Sequence, residues 1–324
     1  MRLYIIGNGF DLAHDLKTSY WHFREYLERN EEEFLVEFEK LYGYYPYDPD
    51  EYHVSPEQQK DALKKRNDML YEVLWREFEF KLGKPAEFEF DIVCDSAIDE
   101  MNELESGPIG IEDTLNQCFE EQFGFVANLQ VFLLKWAKQI RLNKAIVRKD
   151  ELKNSTDLFL TFNYTPTLEC LYGISKERIC HIHGGIPPYC EDAPVIGHGN
   201  TESIRQWQQW KEENDNIFDE GGASKCIAIS NFYSRTLKDT RKRLERNGKF
   251  FSCLDRTSEV MVIGHSLGDV DMVYFEKVVE MSGKDIPWVV VFHNESEKER
   301  MENRIKDLGI SKVKLIPTHE YWDR

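Results

Sequence analysis

Val260-Met261-Val262-Ile263, Trp288-Val289-Val290-Val291-Phe292 and Val313-Lys314-Leu315-Ile316 decide the fold. Between these apolar, largely β-branched runs lie stretches with helical character, one starting near Asp271 and one over 295–308. Strands this apolar suit burial on both faces, and their alternation with helices predicts a parallel sheet joined by crossovers. Working back along the chain, Asp157-Leu158-Phe159-Leu160-Thr161-Phe162 and Arg178 to His183 read as two more strands, with a short helix around Leu168. The chain opens the same way. Leu3-Tyr4-Ile5-Ile6 runs into Gly7-Asn8-Gly9 and then a helix start.

From about residue 20 to 145 the rhythm changes. Phe34/Phe38/Leu41, Leu70/Val73/Leu74/Phe78 and Phe125/Leu129/Leu133/Trp136/Ile140 recur at three- and four-residue spacing, the mark of amphipathic helices. The fold class expected is α/β: a doubly wound parallel core from 1–20 and 155–324, interrupted by a large helical insertion over 21–154. Tyr42 to Pro49 and Leu104 to Gly110 have the composition of loops, the tyrosines packing against the helical layer. The polar stretch from Glu212 to Gly222 lacks apolar periodicity and predicts a mobile loop, and the basic run 238–249 predicts one solvated helix face.

Composition narrows the function. The chain has 324 residues, 41% hydrophobic and 31% charged, which is globular rather than disordered. It lacks a long apolar run and has no room for a signal segment before Gly7, so a cytoplasmic location without membrane contact is expected. The net charge of −18 disfavours nucleic acid as a partner. Seven cysteines without a CxxC pair argue for reduced thiols rather than a disulfide framework or thiolate zinc site.

Ligands of open α/β sheets sit at the carboxyl ends of strands, and four polar clusters follow directly on predicted strands. Gly7-Asn8-Gly9-Phe10-Asp11 offers glycines for a sharp turn and N–H groups for a phosphate, although the third glycine of the dinucleotide fingerprint is missing. Thr161-Phe162-Asn163 supplies an amide that can donate to a ribose hydroxyl, orient water or brace an imidazole. In His181-Ile182-His183-Gly184-Gly185, strand alternation puts both imidazoles on one face, and the glycines let something approach His183, a candidate general base. No well-spaced third ligand accompanies the histidines, so no metal is expected. Gly264-His265-Ser266-Leu267-Gly268 fits the G-x-S-x-G pattern of esterases, but only 56 residues follow and no HGGG-type loop precedes it; the competing reading is a polar loop touching a nucleotide.

Taken together, Ile5 to Ala13, Phe162 to Thr165, His181 to Gly184 and Ile263 to Leu267 resemble the AbiH family of phage abortive-infection proteins over the whole chain. The same segments resemble, more weakly, Rossmann-like NAD-binding domains of the sirtuin kind. That resemblance implies that Gly7, Asn8, Gly9, Phe10, Asp11, Thr161, Gly264, His265 and Ser266 contact NAD. It implies Asn163 and His183 as catalytic residues at the reacting ribose. Thr165 stands where sirtuins have an acidic residue, and their paired zinc cysteines are absent, so hydrolysis of NAD at the nicotinamide–ribose bond is expected rather than deacylation. The alternative is a non-catalytic nucleotide-binding sensor that signals in phage defence. Expected partners are NAD or a related nucleotide, a phage-derived trigger and further copies of the chain.

Overall fold

The computed structural model describes residues 1–46, 55–102, 110–143, 145–153 and 156–323. Tyr47 to Pro49 and residues 104–109, expected as loops, lie outside the described residues. The chain divides into two compact units. One comprises Met1–Ser19, Leu133–Val195 and Asp239–Arg324; the other comprises Tyr20–Phe132 and Ile196–Lys238.

The first unit is an α/β layer structure around six strands: β1 Arg2–Ile6, β2 Leu158–Thr161, β3 Ile179–His181, β4 Glu259–Ile263, β5 Trp288–Phe292 and β6 Val313–Pro317. Every pairing is parallel, in the order β3-β2-β1-β4-β5-β6. The chain builds outward from β1 on one side, then returns to β4 on the other. The sheet is covered on both faces, as its unbroken apolar runs require. Leu3, Ile5, Leu160, Val260, Val262 and Val290 meet Phe251, Tyr274, Phe275 and Ile305 on one face. Tyr4, Ile6, Phe159, Met261, Ile263 and Val291 meet Phe10, Leu168, Tyr172 and Tyr321 on the other. Each fully buried aliphatic side chain contributes about 1.5–3 kcal/mol, so this alternation sets the register.

The second unit is helical. Most of the periodic residues of the sequence fall in helices Glu32–Leu41, Pro56–Leu70, Phe78–Leu82 and, crossing into the first unit, Asn128–Ala137, whereas Phe125 lies in the short turn Gly124–Ala127 and Ile140 lies past the last helix. One wide turn, Tyr71–Trp75, rotates Leu74 and Trp75 inward to join Phe78. Of the tyrosine cluster, Tyr42 is buried against Phe38 and its hydroxyl donates to the Leu82 carbonyl at 3.1 Å, whereas Tyr45 is exposed. A buried ion pair, Arg24 Nε to Glu39 Oε1 at 2.7 Å, takes a further hydrogen bond from Trp75 Nε1 at 3.1 Å. No helix among the described residues is long and apolar enough to cross a membrane.

Two expectations need correction. The acidic stretch is not a loop: helix Thr201–Asn216 runs through it, a tight turn follows, and helix Glu220–Thr236 begins directly. Its polar residues form the solvent side of a helical hairpin, so apolar periodicity was never needed at its end. Nor is the basic run one solvated face. It breaks into Thr240–Arg246 and Gly248–Ser252, and Arg243 turns inward to Asp192 at 2.8 Å.

Candidate functional site

The clusters expected at strand ends do gather there, all within the sheet unit. Gly7 follows β1, Asn163 follows β2, His183 follows β3, and Gly264 to Ser266 follow β4. The β1 and β4 loops touch backbone to backbone. Gly7 and Gly9 donate their N–H groups to the carbonyls of Ile263 (3.0 Å) and Gly264 (2.8 Å). A Cβ on Gly9 would stand 2.7 Å from the Gly264 Cα, and one on Gly264 would stand 2.3 Å from the Phe10 nitrogen. Gly264 also has φ +67°, a left-handed conformation that glycine adopts without penalty. These glycines therefore bring two loops together, and the amides of Gly7 and Gly9 are engaged by the chain itself.

Beneath the loops lies a polar network. Asp11 is buried, Thr167 Oγ1 donates to its Oδ1 at 2.8 Å, and Thr165 Oγ1 donates to its Oδ2. Burial pushes the Asp11 carboxyl up to about 6, against the hydrogen bonds from Thr165, Thr167 and Asn163 and the nearby His181, which hold it down. Thr165 thus serves to hold an acid that comes from helix Asn8–Ala13, directly after β1. Asn163 is buried, donates its backbone N–H to Thr161 Oγ1 at 3.1 Å and its side-chain amide to the Gly7 carbonyl at 3.2 Å. Phe10 is fully buried with its ring 4.5 Å from that of His14. Asn8 and Gly9 are half-buried, and Ser266 is exposed.

The two strand-end histidines do not share a face. β3 stops at His181, and Ile182 and His183 lie in a turn that ends at Gly184 with φ +76°, so alternation lapses before His183. His181 lies against Glu169, Nε2 to Oε1 at 2.9 Å, and its Nδ1 is 3.1 Å from the Asn163 carbonyl oxygen. His183 instead packs edge-on to Phe162, ring centroids 5.0 Å apart, and its Nε2 lies 3.1 Å from Asp271 Oδ1. The other oxygen of Asp271 lies 3.4 Å from Nε2 of His265. His265 Nδ1 accepts the Leu267 N–H at 2.9 Å, which leaves the proton of its neutral ring on Nε2, facing Asp271.

Two imidazoles thus flank one carboxylate under the β4 loop. A carboxylate in contact with two imidazoles can take part in proton transfer.

The family model for bacteriophage abortive infection AbiH matches residues 3–292. The chain belongs to the AbiH family. No curated protein and no solved structure matches it. AbiH membership gives the chain a role in abortive infection by bacteriophage.

In this AbiH chain the glycines after His183 are filled by the protein. A Cβ on Gly184 would stand 2.1 Å from the Ala193 carbonyl oxygen, Gly185 N–H donates to the Asp192 carbonyl at 2.9 Å, and Val195 N–H donates to the His183 carbonyl at 2.8 Å. Arg243 and Arg246 hold the Asp192 carboxylate at 2.8 and 3.1 Å, so the segment that cradles His183 is itself clamped. The esterase elbow is not formed: it needs its serine on the strained turn, whereas the left-handed residues are Gly264 and Leu267 (φ +56°). Among the described residues no group of three or more His, Cys, Asp or Glu is placed to hold a metal ion.

Asp271 is the residue that sequence reasoning left outside the site. It entered only as the place where a helix starts, because eighty-eight positions separate it from His183 and nothing local marks it.

Proposed function

We propose that this AbiH chain acts in the cytoplasm as an abortive-infection effector that hydrolyses NAD at the nicotinamide–ribose bond. The observation that carries the reading is the contact of His183 Nε2 with Asp271 Oδ1 at 3.1 Å, beside the carboxyl ends of the strands. The strand order supports it: 3-2-1-4-5-6 is that of the Rossmann-like dinucleotide-binding fold, whose ligands lie where the order reverses, here between β1 and β4.

In this reading Asn8 and Ser266, which reach the surface, contact phosphate or ribose, and Gly7, Gly9 and Gly264 shape the loops that present them. Phe10, Asp11, Thr161 and His265 support the site from below. Asn163 positions water or a ribose hydroxyl. Water oxygen bonds to C1′ as the C1′–nitrogen bond breaks, and the electron pair of that bond neutralises the positively charged ring, which departs as nicotinamide. His183 takes the proton of the water and Asp271 stabilises the imidazolium, through a transition state of oxocarbenium character. The products are ADP-ribose and nicotinamide.

A second reading, a nucleotide-binding sensor, is favoured by the burial of Asn163 and His183 and by the engagement of the Asn163 amide with the Gly7 carbonyl. Nicotinamide release separates the two. Purified wild type, Asn163→Ala and His183→Ala are compared at several protein concentrations, with and without lysate of infected cells. Release by the wild type alone supports the hydrolase. Folded proteins that bind NAD without release in any condition would leave the sensor.

A further inference from the structure

The helical hairpin in the second unit carries a feature that neither the fold nor the proposed chemistry uses. Between helices Thr201–Asn216 and Glu220–Thr236, Phe218 is 92% exposed and Ile217 is 71% exposed. The turn is tightly built. Asp219 N–H donates to the Asn214 carbonyl at 3.0 Å and Phe218 N–H to the Asp215 carbonyl at 3.1 Å, the paired bonds of a Schellman motif. That motif places Phe218 at the position where glycine is preferred, and Phe218 does take a left-handed φ of +60°. Asp219 then caps the next helix, its Oδ1 accepting the Gly222 N–H at 2.9 Å.

Backbone preference favours glycine there, and burial gives the ring no reward, so neither explains a phenylalanine. What the turn does is fix the backbone that holds the ring out in water. Trp210, partly exposed, lies seven residues before Ile217 and so on the same side of its helix, with Glu213 and Asn214 between them. Around the tip the exposed charges are acidic: Glu212, Glu213, Asp215, Asp219 and Glu220, with Lys211 paired to Asp215 at 2.5 Å.

We infer that the hairpin tip is a docking knob, with Phe218 and Ile217 inserting into an apolar pocket rimmed by Lys and Arg on another protein. The occupant follows from charge. An acidic rim is repelled by anionic lipid and by a second copy of a chain with net charge −18, and is attracted to a basic one. Exposed aromatic side chains on a fixed backbone are the type that anchors interfaces, because little backbone entropy is lost when they bind.

The test places the photo-crosslinker p-benzoylphenylalanine at position 218 of the full chain, with the same group at exposed position 146 of the sheet unit as control, irradiated in cells before and during infection. The expected result is one heterologous adduct specific to position 218, crosslinked within an apolar segment flanked by Lys or Arg. Its yield falls about tenfold when Glu212→Lys and Glu213→Lys are introduced. An adduct no stronger than at 146, one formed only with lipid or a second copy, or one indifferent to charge reversal overturns the proposal. Phe218→Gly guards against a structural role: it is expected to keep the melting temperature or raise it on the order of 2 °C. A fall of more than about 3 °C means that the ring supports the fold, and also overturns the proposal.

Discussion

Gly9 donates its amide hydrogen to the carbonyl of Gly264 at 2.8 Å, across two loops 255 positions apart, and a methyl group on either residue would strike the backbone of the other. The contact fixes where β1 and β4 deliver their chains. The site residues after both strands are therefore positioned by backbone packing, ahead of any contact with a ligand.

Gly264→Ala is expected to destabilise the chain by about 3 kcal/mol, combining left-handed strain with a clash that backbone cannot relieve. Gly248→Ala, where an added Cβ meets nothing within 4 Å, should be neutral or stabilising by about 0.5–1 kcal/mol. Urea denaturation of the two variants measures the contrast, and equal effects would mean that the loop contact is not tight.

Asp271→Asn keeps shape while removing the charge beside His183 and His265. If the proposed hydrolysis holds, nicotinamide release should drop by about 10²–10⁴-fold with the melting temperature little changed. An undiminished rate would remove Asp271 from the mechanism and with it the orientation assigned to His183.

The two units should respond to pH in opposite senses. Asp11, in the sheet unit, is raised by burial from 3.8 to about 6, so between those values the folded chain keeps a proton that the unfolded chain has lost. Stability of that unit should fall by up to about 3 kcal/mol as pH rises from 4 to 6. Asp11→Asn should remove the slope. His198, in the helical unit, is lowered by burial from 6.5 to about 4, its Nε2 donating to the Tyr233 carbonyl at 3.0 Å and its Nδ1 accepting the Asn200 N–H. The unfolded chain gains a proton that the folded one refuses, so this unit should lose up to about 3 kcal/mol as pH falls from 6.5 to 4. Hydrogen exchange resolved to each unit reads both slopes, and parallel trends would contradict the assignment.

Ser266 should not behave as a nucleophile. A fluorophosphonate probe is expected to leave the protein unlabelled, and Ser266→Ala should keep its stability within about 0.5 kcal/mol, since the side chain is exposed. Stoichiometric labelling at Ser266 would restore the esterase.

Much of the sheet was legible because its signal is local. Trp288 to Phe292 is apolar at every position, and a buried parallel strand has no polar face to display. The stretch from Glu212 to Gly222 was misread for the complementary reason: a helix end facing water carries no periodicity, and its stop signal, normally a glycine, is here Phe218. The histidines were misassigned because alternation was carried two residues past the end of β3, where a turn at Gly184 had already released it.

By itself the sequence determined the parallel α/β core, the helical character of the region after residue 20, and the four polar clusters at strand ends, since apolar period and turn composition act over a few residues. Only the tertiary structure decided that 196–238 joins the helical unit, that the glycines pack on each other and on Ala193, and that Asp271 stands between His183 and His265. The decisive contacts, Gly9 with Gly264 and His183 with Asp271, join residues tens to hundreds of positions apart. They are set by how strands and crossovers stack, which no local pattern encodes.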